Sequence, residues 1–353
     1  MLDHANVDEL ETDLISHYAR QGMVSTAAPH VTAFEGVCAE YLGVDDVIAT
    51  NCGTSALHLA MLMAGIGPGD EVILPVTTFI ATANAVRYVG AVPIFVDVNE
   101  KTWLMDLKQA AQAITGRTKA ILPVHLYGVP CDMSALKWLA HETKLMLIED
   151  AAQSFGATFQ GQMTGTFGDY GCYSFNGNKT LTTGGGGLLY CKRGIDKARL
   201  LAGQGKDKSG EFVTVGYNYR MTGISAALGL GQMARRNQLL DRKRAIHEIY
   251  VAELSDIVTF QQAPKDTNPT WWYSAGLFDR EAEGLQQALT ARGIPTRRIF
   301  KPLTQYRPYI SIKQYPVAER LYKYGLCLPS STLCDMKDID MVCQIVREVV
   351  NAG

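Results

Sequence analysis

The sequence predicts an α/β protein built on a mostly parallel sheet. Between residue 50 and Asp150, short strand patterns and helical patterns take turns along the chain. The strands, among them EVILP and KLMLIED, are almost continuously apolar, as strands are when helices cover both faces of a sheet. We therefore expect a parallel sheet whose ligands bind at the carboxyl ends of its strands.

The elements of this sheet can be assigned in chain order. TSALHLAMLMAG (residues 54–65) has helical spacing, with Thr and Ser near its start and a glycine at its end. The strands and helices that follow are predicted in EVILP, FIATANAVRYVG, VPIFVDV, DLKQAAQAIT, KAILPV, SALKWLAHET and KLMLIED.

The second half of the chain predicts a smaller unit. One long helical pattern covers residues 224–254 and becomes strongly charged after Arg235. Beyond it, IVTFQ, WWYSAGLF, EGLQQALTARG and a last helix near residues 338–350 indicate an α+β unit. We predict a large domain at residues 1–240, including an N-terminal arm, and a small C-terminal domain at residues 241–353.

Composition narrows the class of protein. The 353 residues are 47% hydrophobic and 19% charged with a net charge of -2, which is typical of a globular enzyme and disfavours nucleic acid or a membrane surface as partner. The first residues are acidic without an apolar core, and no apolar stretch is long enough to span a bilayer. Eight cysteines without a CxxC pair predict buried thiols, no metal site and a cytoplasmic location.

Three segments carry candidate chemistry at the sheet edge. In NCGTSAL, a glycine before Thr54 and Ser55 at a helix start indicates either an ordinary N-cap or a phosphate site. In KLMLIEDAAQSFGA, alternation sends Glu149 and Asp150 to opposite faces, so only one is expected to reach a ligand, with Gln153 one turn on. Both acids are also compatible with capping a strand-to-helix turn.

The third segment, YGCYSFNGNKTLTTGGGG, places Ser174 and Lys179 before four glycines. A lysine beside a phosphate site and a carboxylate either holds phosphate as a point charge or forms a Schiff base with an aldehyde. The glycines allow the backbone to approach a bulky cofactor. No GxxxxGK[ST] loop is present, which disfavours a P-loop nucleotide enzyme.

Five motifs together resemble the DegT/DnrJ/EryC1/StrS family of pyridoxal-phosphate-dependent nucleotide-sugar aminotransferases. The motifs are SFNGNKTLTTGGGG, IEDAAQSFGA, LPVHLYGVPCDMSAL, NCGTSALHLAMLMAGIGPGDEVILP and VGYNYRMTGISAALG. The likeness extends from about residue 24 to beyond residue 329 and is nearest to the branch that acts on 4-keto sugars for legionaminic-acid-type and perosamine-type products. It implies the aspartate aminotransferase architecture (fold type I) with pyridoxal 5'-phosphate (PLP) as cofactor.

The resemblance also implies residue roles. Lys179 matches the lysine that condenses with the cofactor aldehyde and later moves a proton, and Asp150 matches the partner of the pyridine nitrogen. Gln153 is expected on the phenolic oxygen and Phe79 on the ring face. The residues expected to hold the phosphate are Thr54, Ser55 and Ser174.

The family pattern further implies a homodimer with shared active sites, because Asn218 of GYNYR matches an asparagine that reaches the phosphate in the neighbouring subunit. His125 is a candidate for lining the site, and Arg298 and Lys301 are candidates for holding glutamate carboxylate or sugar diphosphate. A solvated basic turn explains the last two equally well. Gly185 stands where many members have glutamate, although the 4-keto branch tolerates glycine there.

The predicted reaction is transfer of an amino group from L-glutamate to a nucleotide-linked keto-deoxysugar, with a 4-keto-6-deoxyhexose favoured, for surface-polysaccharide or related glycan synthesis. One alternative is a PLP-dependent sugar dehydratase, but dehydratases of the family carry histidine where this chain has Lys179. Another is a non-catalytic module with the same fold. Regulators of that kind also carry a DNA-binding domain, for which this chain has no basic helix.

Overall fold

A computed structural model describes residues 4–352 of the chain. These residues contain fourteen strands: β1 (Val47–Thr50), β2 (Glu71–Pro75), β3 (Val92–Val96), β4 (Thr118–Ile121), β5 (Met146–Asp150), β6 (Thr158–Phe159), β7 (Gln162–Met163), β8 (Tyr170–Ser174), β9 (Gly187–Cys191), β10 (Thr259–Phe260), β11 (Thr267–Asn268), β12 (Ser274–Leu277), β13 (Arg297–Arg298) and β14 (Gly325–Leu328). They also contain twelve α-helices: α1 (Glu9–Arg20), α2 (Pro29–Leu42), α3 (Gly53–Met63), α4 (Ala81–Tyr88), α5 (Leu107–Gln112), α6 (Met133–Thr143), α7 (Ile195–Ala202), α8 (Gly223–Ala234), α9 (Arg236–Leu254), α10 (Ala282–Ala291), α11 (Pro316–Tyr324) and α12 (Met336–Asn351).

The main sheet has seven strands in the order β1-β9-β8-β5-β4-β2-β3. β9 runs antiparallel to both of its neighbours, while the pairs from β8 to β3 are all parallel. The reversal follows from the connection between β8 and β9, because residues 175–186 contain no helix that could cross over to a parallel position. This connection follows β8 directly and therefore lies at the carboxyl end of that strand, and it carries Lys179.

Helices cover both faces of this sheet, as its apolar strands predict. Ile48 and Leu189 pack into one buried core with residues of α3, α4 and α6. Their chain neighbours Val47 and Leu188 point the other way, into a second core with residues of α2 and α8. The sheet is therefore buried between two helical layers, and its carboxyl edge is the place left for a ligand.

The C-terminal part contains a four-stranded antiparallel sheet in the order β10-β12-β14-β13. Its core is formed with α9, α10 and α12, for example by Tyr250, Leu285 and Val346. A third, short sheet joins β11 of this part to β6 and β7 of the first part. The predicted domain boundary after residue 240 falls inside α9, and the division into two domains stays a prediction.

The helical pattern at residues 224–254 is not one helix, contrary to the expectation from its sequence. It is divided into α8 and α9 at Arg235, whose φ and ψ are -99° and 5°. The guanidinium of Arg235 donates to both carboxylate oxygens of Glu11 in α1 at 3.0 Å. Glu11 is buried, so this contact joins α1 to the end of α8 in the interior of the protein. Local sequence does not reveal such a tertiary contact.

None of the helices in residues 4–352 is both long and apolar enough to cross a membrane. The same residues hold no group of three or more His, Cys, Asp or Glu side chains placed to share a metal ion. Seven of the eight cysteines are buried.

Candidate active site

A cavity of about 320 Å³ lies where the ends of β5 and β8 meet the start of α3. Six of the residues predicted for the site line it: Thr54, Phe79, Asp150, Gln153, Ser174 and Lys179. The C-terminal part adds Trp272, Arg297 and Phe300 to the same lining. The carboxyl edge of the sheet thus brings together three sequence motifs, of which the first and the last are more than a hundred residues apart.

A larger cleft of about 680 Å³ lies beside α7. One of its basic residues, Arg199, is already paired with Glu35 at 2.8 Å and with Asp46 at 2.5 Å. None of the predicted site residues lines this cleft. The smaller cavity is therefore the candidate active site.

The start of α3 forms an anion-binding wall. Gly53 and Thr54 occupy the first turn, where backbone N–H groups lack intrahelical partners and the helix end is electropositive. Gly53 is required by a close approach, because a Cβ at this position would lie 2.9 Å from Cβ of Ser174. The absence of a side chain at residue 53 therefore lets Ser174 stand beside the helix start, a common arrangement for phosphate.

Ser55 departs from the expected arrangement at this wall. The helix begins one residue earlier than predicted, and its cap is Cys52, whose Sγ accepts the N–H of Ser55 at 3.4 Å. The Ser55 hydroxyl donates to Oδ1 of Asn51 at 2.7 Å. Ser55 is buried and does not line the cavity, so its role in phosphate binding stays a prediction.

Of the two adjacent acids at the end of β5, Asp150 faces the cavity and Glu149 does not. Glu149 is buried and accepts three loop N–H groups at 2.7 Å, from Gly165, Phe167 and Gly168. It also accepts from Nε2 of His125 at 3.0 Å, while Nδ1 of that ring accepts the N–H of Cys131. Both ring nitrogens of His125 therefore have protein partners, and His125 does not line the cavity.

Asp150 is buried with two donors on its carboxylate. Oδ2 accepts from the hydroxyl of Thr82 at 2.7 Å, and Oδ1 accepts the N–H of Ala152 at 3.1 Å. Burial raises the pKa of Asp150, and the Thr82 and Ala152 hydrogen bonds and the charge of Lys179 oppose that rise. A buried carboxylate of this kind is suited to a cationic partner in the cavity.

Gln153 and Phe79 present two different surfaces to the cavity. Oε1 of Gln153 accepts the N–H of Tyr127 at 2.8 Å, which fixes the amide and leaves its NH₂ as the donor for a ligand. Phe79 is 57% exposed, and its ring lies 6.3 Å from that of Phe300. Phe79 is thus an open aromatic wall and not a core residue.

Lys179 lies in the β8–β9 connection with its amine against an aromatic ring. Its Nζ is 3.7 Å from the ring centroid of Trp272, which is itself held because its Nε1 donates to the carbonyl of Asn178 at 2.6 Å. Burial, together with the nearby charge of Arg297, lowers the pKa of Lys179 to about 7, while Asp150 opposes this change. A lysine with this pKa has a substantial neutral fraction at physiological pH, as a nucleophile or base requires.

The basic turn after β13 is placed differently from the sequence expectation. Arg297 lines the cavity, whereas Arg298 does not. Arg298 donates to the carbonyl of Tyr322 at 2.9 Å and lies 3.6 Å from the carboxylate of Glu283. Lys301 also lies outside the lining. Adjacent strand residues point to opposite faces, so only one of the two arginines can face the site.

Asn218 is exposed and does not line the cavity of its own chain. Its carbonyl accepts from Nδ2 of Asn51 at 3.1 Å, next to the start of α3. It follows a loop with exposed apolar side chains, of which Phe212 is 71% and Val215 is 83% exposed. The side chain is available to a neighbouring molecule.

Comparison with known proteins places the chain in a family. Residues 5–347 match the DegT/DnrJ/EryC1/StrS aminotransferase family. The chain is 38% identical to a GDP-perosamine synthase of Escherichia coli O157:H7, over 96% of this chain and 95% of that protein. A GDP-perosamine synthase of Caulobacter vibrioides is 39% identical over 98% of this chain and 96% of its own length. The solved PLP-form of Spr1654 from Streptococcus pneumoniae superimposes with a TM-score of 0.95 at 26% identity, covering 100% of this chain and 98% of that one.

The chain belongs to the DegT/DnrJ/EryC1/StrS aminotransferase family. The predicted fold, the type I architecture of PLP enzymes, is confirmed by this match and by the structural neighbours. The protein is an aminotransferase, and its cofactor is PLP.

The residues of the cavity fit PLP. The anion-binding wall at Gly53 and Thr54 suits the phosphate group, and the buried carboxylate of Asp150 suits a protonated pyridine nitrogen. Lys179 provides an amine that is neutral often enough to condense with an aldehyde. The flat ring has an aromatic surface available in Phe79.

Among the lining residues that the sequence did not predict, three have polar or aromatic side chains beside Asp150 or Lys179. Thr82 is one turn after Phe79 in TTFIATANAV, and only its spacing on the same helical face could have marked it. Trp272 and Arg297 come from the C-terminal part, more than ninety residues after Lys179, and no local pattern connects them with the site. They are functional candidates only because the fold brings these two segments to the cavity.

Proposed function

We propose that this aminotransferase transfers the amino group of L-glutamate to a 4-keto-6-deoxyhexose that is carried on a nucleotide. The observation that carries the proposal is the 38–39% identity to two GDP-perosamine synthases along nearly the whole chain. Their shared product name indicates a GDP-linked sugar, so GDP is the nucleotide we expect first. The physiological role would be surface-polysaccharide or related glycan synthesis in the cytoplasm, a reducing compartment that suits a chain with eight cysteines.

Lys179 is the residue to which we assign the central chemical role. PLP, when bound, carries the amino group between donor and acceptor and withdraws electrons from the reacting carbon. The Lys179 amine would hold the cofactor aldehyde and, when free, would take the proton from the substrate carbon and return it. A pKa of about 7 lets one amine perform both directions of this transfer near neutral pH. The face of Trp272, 3.7 Å away, holds the amine at the side of the cavity.

Asp150 keeps a proton on the pyridine nitrogen in this proposal. Its two hydrogen bonds, from Thr82 and Ala152, fix the carboxylate in one orientation, and its burial strengthens the attraction to a positive ring. The NH₂ of Gln153 would donate to the phenolic oxygen, and Phe79 would cover one face of the ring.

The phosphate is assigned to the start of α3. The N–H groups of the first turn, the hydroxyl of Thr54 and the hydroxyl of Ser174 all lie along one wall of the cavity. Ser55 would have to give up its bond to Asn51 in order to join them. We therefore expect Thr54 and Ser174 to contribute more than Ser55.

A homodimer with shared active sites completes the proposal. Asn218 is exposed and does not line the cavity of its own chain. Its side chain would therefore be able to enter the site of a second copy. The exposed apolar side chains of Phe212 and Val215 in the preceding loop support a subunit contact there. Asn218 would then donate to the cofactor phosphate of the neighbouring subunit.

The substrate is tested by incubating the purified PLP enzyme with L-glutamate and a panel of nucleotide sugars. The panel contains GDP-, UDP- and dTDP-linked 4-keto-6-deoxyhexoses and a UDP-linked 3-keto sugar, with products identified by mass spectrometry and NMR. We expect amination at C4, with the GDP-linked sugar preferred. Amination of the 3-keto sugar alone would refute the proposed ring position, and no transfer from glutamate would refute the donor.

A further inference from the structure

Aromatic side chains form the side of the cavity to which the C-terminal part contributes. Trp272 and Phe300 line the cavity there, and Tyr127 lies behind them as a fully buried residue. The rings of Tyr127 and Phe300 are stacked with their centroids 5.4 Å apart, and the ring of Trp272 lies 6.4 Å from that of Tyr127. Whatever enters the cavity beside the cofactor therefore meets an aromatic wall, defined by Trp272, Tyr127 and Phe300.

The polar atoms of this aromatic wall have partners within the protein. Nε1 of Trp272 donates to the carbonyl of Asn178 at 2.6 Å. The hydroxyl of Tyr127 accepts the N–H of Phe300 at 3.0 Å. An indole has a single N–H donor and no acceptor, so Trp272 presents only its apolar face to a ligand.

Trp272 is also fixed through its backbone. Nζ of the buried residue Lys243, in α9, donates to the carbonyl of Trp272 at 2.9 Å. One turn further along α9, the ring of His247 stacks on the ring of Trp271 at 3.6 Å and 14°. Since both the indole N–H and the carbonyl of Trp272 are held, its ring is a rigid surface that cannot easily move away from a poorly fitting group.

The rigid indole stands next to the reacting amine. Nζ of Lys179 lies 3.7 Å from the ring centroid of Trp272. Under the proposed function, this amine takes a proton from the reacting carbon of the substrate, which must therefore come within hydrogen-bond reach of it. The groups attached to the two neighbouring carbons of the sugar ring are then brought into the region of Trp272.

The chemistry of the sugar decides which neighbouring group suits this face. In a 4-keto-6-deoxyhexose, C3 carries a hydroxyl and C5 carries a methyl group. In a 3-keto sugar, both neighbours of the reacting carbon carry a polar group. A hydroxyl that is buried against an apolar face without a partner costs free energy, whereas a methyl group gains it. The methyl group on C5 is thus the substituent that fits beside Trp272.

We propose that Trp272 contacts the C5 methyl group of the sugar and so makes the enzyme select 6-deoxy sugars that react at C4. The inference rests on the proposed function and names the residue that determines which substituent is accepted at C5. A hydroxymethyl group at C5 would place its hydroxyl against the aromatic wall without a donor or acceptor. A sugar with only hydrogen at C5 would lose the apolar contact.

The test compares three substrates that differ only at C5. They are GDP-perosamine, which carries the methyl group, its analogue with a hydroxymethyl group and its analogue with hydrogen. Each gives its amino group to the PLP form of the enzyme and leaves as the 4-keto sugar, which is followed by the absorbance of the cofactor. For wild type we expect kcat/KM of this half-reaction to be about tenfold or more higher for the methyl sugar than for either analogue.

Substitutions at Trp272 should change the ratio of these rate constants. In Trp272→Gln the amide provides a partner for the added hydroxyl, so the methyl and hydroxymethyl sugars should approach equality. Trp272→Phe should keep the preference, because the apolar face remains although the N–H donor is lost. Any disturbance of Lys179 slows all three substrates alike and cancels in the ratio. Trp138→Gln is the matched control, since Trp138 is 66% exposed and does not line the cavity.

Binding without turnover provides a second measurement. The amine form of the enzyme cannot accept another amino group, so calorimetry with the same three sugars measures affinity alone. We expect the same order of preference in wild type and its loss in Trp272→Gln. Trp272→His, which is also polar but keeps an aromatic ring, serves as the second polar variant if Trp272→Gln does not fold.

The outcomes distinguish the inference from the proposed function. If wild type converts the methyl and hydroxymethyl sugars equally well, the inference is wrong while the proposed function stands. An unchanged preference in folded Trp272→Gln or Trp272→His would also overturn it, because another residue would then select the substituent at C5. If GDP-perosamine itself does not convert the cofactor to its amine form, the proposed substrate fails, and the inference fails with it.

Discussion

Replacing Lys179 by methionine should make the cofactor-free enzyme more stable near neutral pH. In the folded protein the pKa of this amine is about 7, against 10.5 for an ordinary lysine, chiefly because the amine is buried. A lowered pKa means that the charged form of the amine is less stable in the folded protein than in the unfolded chain. Below the folded pKa the amine is charged in both states, and folding bears the full cost of placing the ammonium ion in the cavity.

The sign and size of the pH dependence follow from these two values. Between pH 7 and 10.5 the unfolded chain binds a proton that the folded chain does not, so the free energy of unfolding rises with pH and the cost disappears above 10.5. The limiting slope is about 1.4 kcal/mol per pH unit, which gives about 2 kcal/mol between pH 7 and pH 9. Because Lys179 as a whole residue is still partly exposed and the face of Trp272 stabilises the charge of its amine, we expect about 1 kcal/mol.

The measurement is urea unfolding of cofactor-free wild type and Lys179→Met at several pH values. The difference in unfolding free energy between them should favour the variant at pH 7 and shrink by about 1 kcal/mol toward pH 9. Lys208→Met is the control, because the Lys208 side chain is 97% exposed and should show no such difference. Parallel pH profiles for wild type and Lys179→Met would refute the reasoning, since the amine would then titrate alike in both states.

Further outcomes concern the active enzyme. Lys179→Ala should fold but lose transamination, and it should lack the yellow colour that borohydride bleaches in wild type. Turnover near the wild-type rate would contradict the role assigned to Lys179. Asp150→Asn should reduce turnover about 100-fold or more while weakening cofactor affinity much less, and equal losses in both would contradict a role in the transition state. Mixing Lys179→Ala chains with chains impaired at Asn218 should restore activity above either parent, because one site of the mixed dimer keeps both residues; mixed dimers without activity would place Asn218 in its own chain's site. Thr82→Val should raise the pKa of Asp150 further, because the hydroxyl of Thr82 lowers that pKa by hydrogen bonding. The acidic limb of the pH–activity profile should then move to higher pH, and an unchanged limb would show that the hydroxyl does not affect the carboxylate.

Local sequence reasoning predicted the main sheet well because its signals are local. The apolar runs that became β2 and β5 have the length and composition of buried parallel strands, and the helices between them show periodic apolar faces. It was less successful where a tertiary contact decided the outcome. At the break, Arg235 pairs with Glu11, which lies more than two hundred residues earlier in the chain.

The site shows the same division. Strand alternation limited the choice to Glu149 or Asp150, but only the loop at residues 165–168, which surrounds Glu149 with N–H groups, decided that Asp150 faces the cavity. Strand alternation also places Arg297 and Arg298 of β13 on opposite faces, but the sequence does not determine which face of that strand lines the cavity.

The sequence by itself determined the chemical parts of the site: the glycine at the start of α3, the acid at the end of β5 and the lysine in the β8–β9 connection. Each is set by a local requirement for a helix start, a strand end or a turn. Only the tertiary structure decided which partners adjust these parts, namely Thr82 on Asp150, and Trp272 and Arg297 around Lys179. The physical reason is that pKa values and ligand contacts depend on burial and on distances of a few ångströms, which arise when segments far apart in the chain pack together.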